Sequence, residues 1–341
     1  MKIFLKIFML LQTSIVLGQD VNFSQFYELP LLRNPALAGI YSGDRRGAAA
    51  FRTQWGNASS PAAPFVSQAL GGEFRTRLSK NSDSYTSFGL QVTNDYAGDG
   101  RFGKLQFLPV VAYNQLLSSD YNLYVTAAFM GGMGYQRIDF TKLRFDDQFV
   151  NGVYSPTNPT QQNFTNSSVD YFDPSVGLSF SGNINENTNW YLGGAAFHIS
   201  KPRVAFIQTN DVILNRKVMI NGGLTIPVND FVRMILYADY FRQGGNSQGQ
   251  GGILFRRDIE QQDEKNTLSL TLGAMYRPHD AVIPVVKLDL YRFGFGLSYD
   301  VNTSKLQAAS KLQNAFELTF SYRDFRNSYR SVLNRQNCPK F

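Results

Sequence analysis

The sequence predicts an all-β protein: a single transmembrane outer-membrane β-barrel of about 14 antiparallel strands, preceded by an irregular, plug-like N-terminal segment. Three observations carry this. The chain opens with an export signal. It then repeats stretches of about ten residues that alternate apolar with small or polar side chains, the length a tilted membrane strand needs. And no run of about 18 apolar residues follows the signal, so no transmembrane helix is indicated.

The signal occupies residues 1–18. Lys2 and Lys6 form the charged region, Ile7 to Leu11 and Ile15 to Leu17 the apolar one, and Val16-Leu17-Gly18 offers cleavage before Gln19. Such a segment is removed and plays no part in the fold. No cysteine follows the cleavage point, so no lipid anchor is expected. The one cysteine, Cys338, has no internal disulfide partner. The exported chain is therefore held by its own core or by a membrane. Net charge is +7 and is spread without a basic block; nucleic acid is not an expected partner.

Residues 19–44 form the lead-in. Phe23-Ser24-Gln25-Phe26-Tyr27 is followed by Pro30 and by Asn34-Pro35-Ala36-Leu37-Ala38-Gly39. Pro30 and Pro35 fix φ and lack a donor, which excludes a regular helix or a central strand. Asn34-Pro35 and Gly39 favour turns. The segment is compact, apolar and aromatic. It reads either as an ordered lead-in packed on the barrel or as a plug within it. Phe23, Gln25, Phe26, Tyr27, Asn34, Pro35, Ala36 and Gly39 are its candidate plug or partner-binding residues.

The barrel is expected over 45–326. Alternation places strands near 46–55, 65–75, 84–94, 103–115, 121–137, 171–182, 188–199, 216–227, 231–242, 249–257, 266–277, 282–289, 292–300 and 315–325. The 121–137 strand is the clearest. Tyr121, Leu123, Val125, Ala127, Phe129, Gly131, Met133 and Tyr135 form one row, and Asn122, Tyr124, Thr126, Ala128, Met130, Gly132, Gly134 and Gln136 the other. The first suits lipid with tyrosines at the interfaces; the second suits a polar lumen. On that reading Val125→Arg impairs assembly while Thr126→Arg is tolerated better. The boundary near 289–292 lacks a Gly or Asn turn signal. Short connections at 118–120, 183–187 and 228–230 alternate with long ones at 138–170, 200–215 and 301–314, as periplasmic turns and outer loops do. The charged 258–265 and the short 278–281 break that parity. Residues 138–170 carry Asn151-Gly152, Pro156 and Pro159 as turn formers, and a loop this long is usually functional or disordered. Residues 327–341 read as a periplasmic tail, because Pro339 is not strand-like.

Reactive chemistry is sparse. His198 and His279 are the only histidines, and neither lies in a triad spacing. His198 reads as an interfacial or turn residue ahead of Ser200-Lys201-Pro202. Asn94 to Gly100 lacks the closing glutamate of a calcium loop. No catalytic residue, metal or cofactor is expected.

Taken together, these residues resemble a known family. Phe23-Ser24-Gln25-Phe26-Tyr27, Asn34-Pro35-Ala36-Leu37-Ala38-Gly39 and Arg52-Thr53-Gln54-Trp55 resemble the opening of the PorP/SprF family of type IX secretion membrane proteins in Bacteroidetes. Gly193 to Pro202, Gly273 to Arg277, Gly296 to Val301, Phe316-Glu317-Leu318 and Cys338-Pro339-Lys340-Phe341 are similar to its later segments; Phe197 and Leu297 depart from it slightly. The resemblance implies a non-enzymatic outer-membrane barrel that assists export or surface anchoring of a large secreted protein, such as a gliding adhesin, through that protein's C-terminal domain. Other type IX secretion components and outer-membrane lipid are the further partners implied. The Asn34-Pro35-Ala36 segment is also similar to the N-terminal hatch of FadL-type transporters, so a transporter of small hydrophobic molecules is the alternative.

Overall fold

The computed structural model describes residues 20–54, 64–77, 83–155, 157–162, 166–185, 187–207, 211–261, 267–304 and 315–324. The export signal at 1–18, Trp55 and the 327–341 tail with Cys338 and Phe341 lie outside the described residues.

Fourteen strands close into one antiparallel barrel. In chain order they are β1 (Arg45–Gln54), β2 (Phe65–Thr76), β3 (Tyr85–Ala97), β4 (Phe102–Ser118), β5 (Leu123–Arg137), β8 (Ser168–Asn185), β9 (Thr188–Phe197), β10 (Lys217–Pro227), β11 (Val232–Gln243), β12 (Asn246–Gln261), β13 (Thr267–Arg277), β14 (Ala281–Leu290), β15 (Phe293–Asn302) and β16 (Ala315–Asp324). Two short strands, β6 (Phe149–Val150) and β7 (Val153–Tyr154), form a separate hairpin in the longest loop. Each expected strand has its counterpart, displaced by a few residues at its ends. Closure comes from β1 pairing with β16, from Arg45↔Asp324 to Gln54↔Ala315. It leaves the barrel sheet without a free edge, the condition for strands in lipid.

Alternation sets the two faces as read. Along β5, Phe129 and Met133 are exposed while Tyr124, Thr126 and Met130 are buried. Phe293, Phe295, Leu297 and Tyr299 repeat the pattern on β15, with Ser298 and Asp300 inside. Where the expectation fails is the lumen. Thr126 has no exposed surface, and its hydroxyl donates to Asn114 Oδ1 at 2.7 Å. An arginine there meets packed atoms rather than water, so the expected tolerance of Thr126→Arg is withdrawn.

Connections orient the barrel. At the end where β1 begins, the connections 119–122, 228–231 and 291–292 are tight, whereas 138–167 and 198–216 lie at the other end. The first end is periplasmic and the second outward-facing. The boundary without a turn signal is a two-residue turn, with Tyr291 at φ 57° and its N–H donating to Thr267 O at 3.1 Å. Residues 258–261, read as loop, continue β12.

The lead-in runs inside this barrel. Pro30 and Pro35 do not merely break structure; each opens a short helical turn, Pro30–Arg33 and Pro35–Leu37, because their missing donors are not needed at a first position. A third turn spans Phe26–Glu28. Asp20 lies by the outer ends of β4, β10 and β11, where it meets Lys104, Lys217 and Gln243. Gly39 and Tyr41 lie at the periplasmic end, against Glu73 on β2.

Candidate functional site: the lumen segment and the outer loops

The candidate lead-in residues are buried or, at Tyr27, half-buried, and most meet inward-pointing strand residues. Phe23 packs in a cluster with Leu29, Ala48, Ala50 and Ala69. Phe26 joins Leu37, Ile40, Tyr191 and Tyr237 in another. Tyr27 stacks on Tyr237 with ring centroids 5.0 Å apart and planes 2° from parallel. Gln25 is fully buried; its backbone N–H donates to Glu317 Oε1 at 2.7 Å, and its Oε1 accepts from Thr319 at 2.8 Å. The Ser24 N–H donates to Glu317 Oε2 at 2.7 Å, so one carboxylate holds two consecutive lead-in amides.

Asn34-Pro35-Ala36 sits on β8 and β9. Asn34 Oδ1 accepts from the Ala36 N–H at 2.8 Å, Asn34 Nδ2 donates to Leu178 O at 3.1 Å, and Ser179 donates to Ala36 O at 2.7 Å. Close approach needs glycine: a Cβ on Gly177 would lie 2.0 Å from Asn34 Oδ1, and one on Gly193 2.6 Å from Asn34 Nδ2. Gly39 ends the run at φ +84°, with its N–H on Glu73 Oε2 at 2.7 Å.

Charged anchors reinforce these contacts; Arg52, Asp300 and Glu317 stood in the family-like motifs, but sequence reasoning gave none of the anchors this role. Arg33 and Asp239 form a buried bidentate pair, with side chains 4 % and 0 % exposed. The Arg33 guanidinium also lies 4.9 Å from the Phe26 ring centre. Burial alone would lower its pKa; Asp239 and Tyr191 more than compensate and raise it, so the group stays charged. Arg52 binds Asp300 at 2.8 Å and Glu317 at 3.3 Å and donates to Ser24 Oγ. Lys287 pairs with Glu28. The available signal was parity. These charges fall on the inward rows of their strands, where a buried charge requires a partner.

A second cluster lies at the outer end. His198, expected at an interface or turn, does sit at a turn with φ 56°, but its ring points into the barrel and is buried. Its Nδ1 meets both Asp173 oxygens at 2.8 Å and its Nε2 meets Asp20 Oδ2 at 2.6 Å. Carboxylates on both sides favour the doubly protonated ring. Burial works against this, but Asp20 and Asp173 prevail and the His198 pKa is raised. Burial would raise the Asp20 carboxyl, yet Lys104, His198 and Lys217 hold it well below its usual range. His279 is an exposed turn residue at φ 62°. Among the described residues no group of His, Cys, Asp and Glu is arranged to hold a metal ion.

Outer loops pack on one another above this cluster. Phe206 meets Phe102 and Phe140 edge-on at 6.0 and 6.1 Å, and the Asp139 N–H donates to Gly100 O at 2.8 Å. From this base rises the β6–β7 hairpin. Asn151 (φ 53°) and Gly152 (φ 80°) make the two-residue turn whose twist suits paired strands. Buried Gln148 secures its foot: its Oε1 accepts from the Phe145 N–H at 3.1 Å, and its carbonyl accepts from Asn158 Nδ2 at 3.0 Å. The foot of the hairpin is hydrogen-bonded, while Phe149, Val150 and Val153 at its tip are 48 %, 55 % and 69 % exposed.

Sequence comparison bears on the whole assembly. The profile of the type IX secretion system membrane protein PorP/SprF matches residues 15–322. The chain belongs to this family. No curated protein matches it in sequence. Among solved structures, the Ralstonia pickettii toluene transporter TbuX is similar at 10 % identity and a TM-score of 0.52, over 87 % of this chain and 94 % of that one. A Pseudomonas aeruginosa FadL homologue is similar at 9 % identity and a TM-score of 0.47, over 86 % and 93 %. At such identity the TbuX likeness speaks for the barrel fold alone. Family and fold place this PorP/SprF protein in the outer membrane.

Proposed function

We propose that this barrel is a non-enzymatic accessory of type IX secretion that binds a specific large secreted protein and helps export it or anchor it at the cell surface. The 19–44 lead-in is the plug that closes the lumen, and the outer loops hold the exported partner through its C-terminal domain. Adhesins of gliding motility are the kind of cargo expected, with other type IX components as further partners. One observation carries the reading: a hairpin on the outward face presents Phe149, Val150 and Val153 to water. A contiguous apolar tip in water is a recognised mark of a binding surface. It is supported by a lumen occupied by Phe26, Arg33 and Asn34 rather than open to solute.

The test is an affinity pull-down from gently solubilised outer membranes, with bound proteins identified by mass spectrometry. A large exported protein in stoichiometric amount, lost on Phe149→Ser with Val153→Ser, supports the reading. A barrel recovered without such a protein, carrying a small hydrophobic molecule, replaces it with the transporter alternative. Plugging is tested separately: deleting residues 23–39 raises single-channel conductance if the lead-in closes the lumen.

A further inference from the structure

A hollow of about 610 Å³ opens at the outward-facing end of β2 to β5, and its lining includes Tyr96, Arg101, Gly103, Leu105, Tyr135 and Arg137. Cross-strand register shows which way it faces. Leu70, Val92, Phe107 and Met133 form one row across the four strands, and Leu70, Phe107 and Met133 are exposed on the lipid side. Two residues further out, the row reads Gln68, Asn94, Leu105 and Tyr135, with Asn94 donating to Gln68 at 3.3 Å. Two further, it reads Val66, Tyr96, Gly103 and Arg137. On this face the surface passes from a wholly apolar row to rows that mix polar and aromatic side chains with Arg137, as it does where hydrocarbon gives way to headgroups.

Gly103 makes the hollow. It carries no side chain, and Arg137 lies across it, with Cγ and Nε 3.4 and 3.5 Å from where a Cβ would stand. Arg101 enters from the adjoining turn at φ 44°. Both arginines are exposed, and neither forms an ion pair with a described carboxylate. Two guanidinium groups without a carboxylate partner among the described residues, lining one hollow with two tyrosines, match a phosphate on a lipid. Arginine binds phosphate through paired, charge-assisted hydrogen bonds, and basic pockets at a membrane surface take anionic headgroups.

We propose that this hollow binds the phosphate-bearing headgroup of an outer-leaflet glycolipid, with Arg101 and Arg137 on the phosphate and Tyr96 and Leu105 against its acyl or sugar portion. The site stands apart from the lumen and from the β6–β7 hairpin, so it does not depend on the proposed role in secretion.

The experiment uses the full mature chain purified in mild detergent, with native mass spectrometry on titration with bisphosphorylated lipid A. The wild-type protein takes up the lipid. Dephosphorylated lipid A and the Arg101→Gln/Arg137→Gln variant each bind at least about tenfold more weakly, as expected for losing charge-assisted bonds. The Arg45→Gln/Arg292→Gln variant, altered at the periplasmic end, binds as wild type. Heat-dependent gel migration reports that each barrel is folded. Should Arg101→Gln impair folding, Arg101→Lys/Arg137→Lys serves instead, with binding retained in part. Equal binding by folded wild-type and double-glutamine proteins, or of phosphorylated and dephosphorylated lipid, overturns the proposal.

Discussion

Arg33→Met is the sharpest probe of how the lead-in is held. The substitution keeps most of the side-chain volume but leaves Asp239, whose side chain is 0 % exposed, without its partner. Breaking a buried pair from one side costs about 3–5 kcal/mol. Loss of the Arg33 stack on Phe26 and Tyr237, at 4.9 and 5.7 Å, adds about 0.5–2 kcal/mol. The barrel strands keep their own hydrogen bonds, so the loss falls on docking of the lead-in rather than on the barrel. The assay is maleimide labelling of Ala36→Cys in a Cys338→Ser background, with heat-dependent gel migration to confirm folding. Labelling should rise at least about a hundredfold on adding Arg33→Met, taking about 3 kcal/mol of lost docking energy. In Arg33→Met/Asp239→Leu most protection should return, because no orphaned charge remains. If Arg33→Met labels at the parental rate in a folded barrel, or if the double variant labels as fast as the single one, this account of the pair is wrong.

Three other outcomes are expected. Val125→Arg should lower barrel stability by about 2–4 kcal/mol through its lipid-facing position; Thr126→Arg should also impair assembly, since Thr126 is fully enclosed, and urea titration in vesicles that shows Thr126→Arg to be neutral would contradict the packed lumen. Gly177→Val should push Asn34 off β8 and raise Ala36→Cys labelling, whereas Gly72→Val, where an added Cβ meets nothing within 4 Å, should leave it unchanged. The raised His198 pKa stabilises the docked N-terminal end fully below about pH 6.5 and loses that contribution as pH climbs through the folded value. The lowered Asp20 pKa acts oppositely, its contribution being lost only as strong acid protonates the carboxylate. Hydrogen exchange at residues 20–25, corrected for its intrinsic pH dependence, should therefore quicken as pH rises above about 6.5. In His198→Gln that pH-dependent step should vanish.

Strand number, strand faces and the irregular character of the lead-in were all legible in the sequence, because each is local. A period of two along one strand determines which side chains meet lipid, whatever the neighbouring strands are; Leu123 to Tyr135 could be assigned from β5 alone, whereas Tyr121, expected to begin that row, lies in the 119–122 turn. Prolines at 30 and 35 likewise act on their own backbone. Asn151-Gly152 marked a turn in the long outer loop by its chemistry, though not the two short strands that flank it. Even the turn at Tyr291, lacking such a residue, was bounded by the alternation on either side.

Only closure of the barrel decided what the inward rows touch. Glu317 lies 292 positions from Gln25, and Arg52 lies 265 from Glu317, yet they share one network. Nothing periodic connects such residues. They meet because closure sets β1 beside β16, with Arg52 opposite Glu317, and turns the inward rows of that seam onto the same strip of lead-in. That is why the sequence read the second face as a polar lumen in need of water or partners, while the folded chain supplies the partners itself: a buried charge far from water is tolerable only beside its opposite.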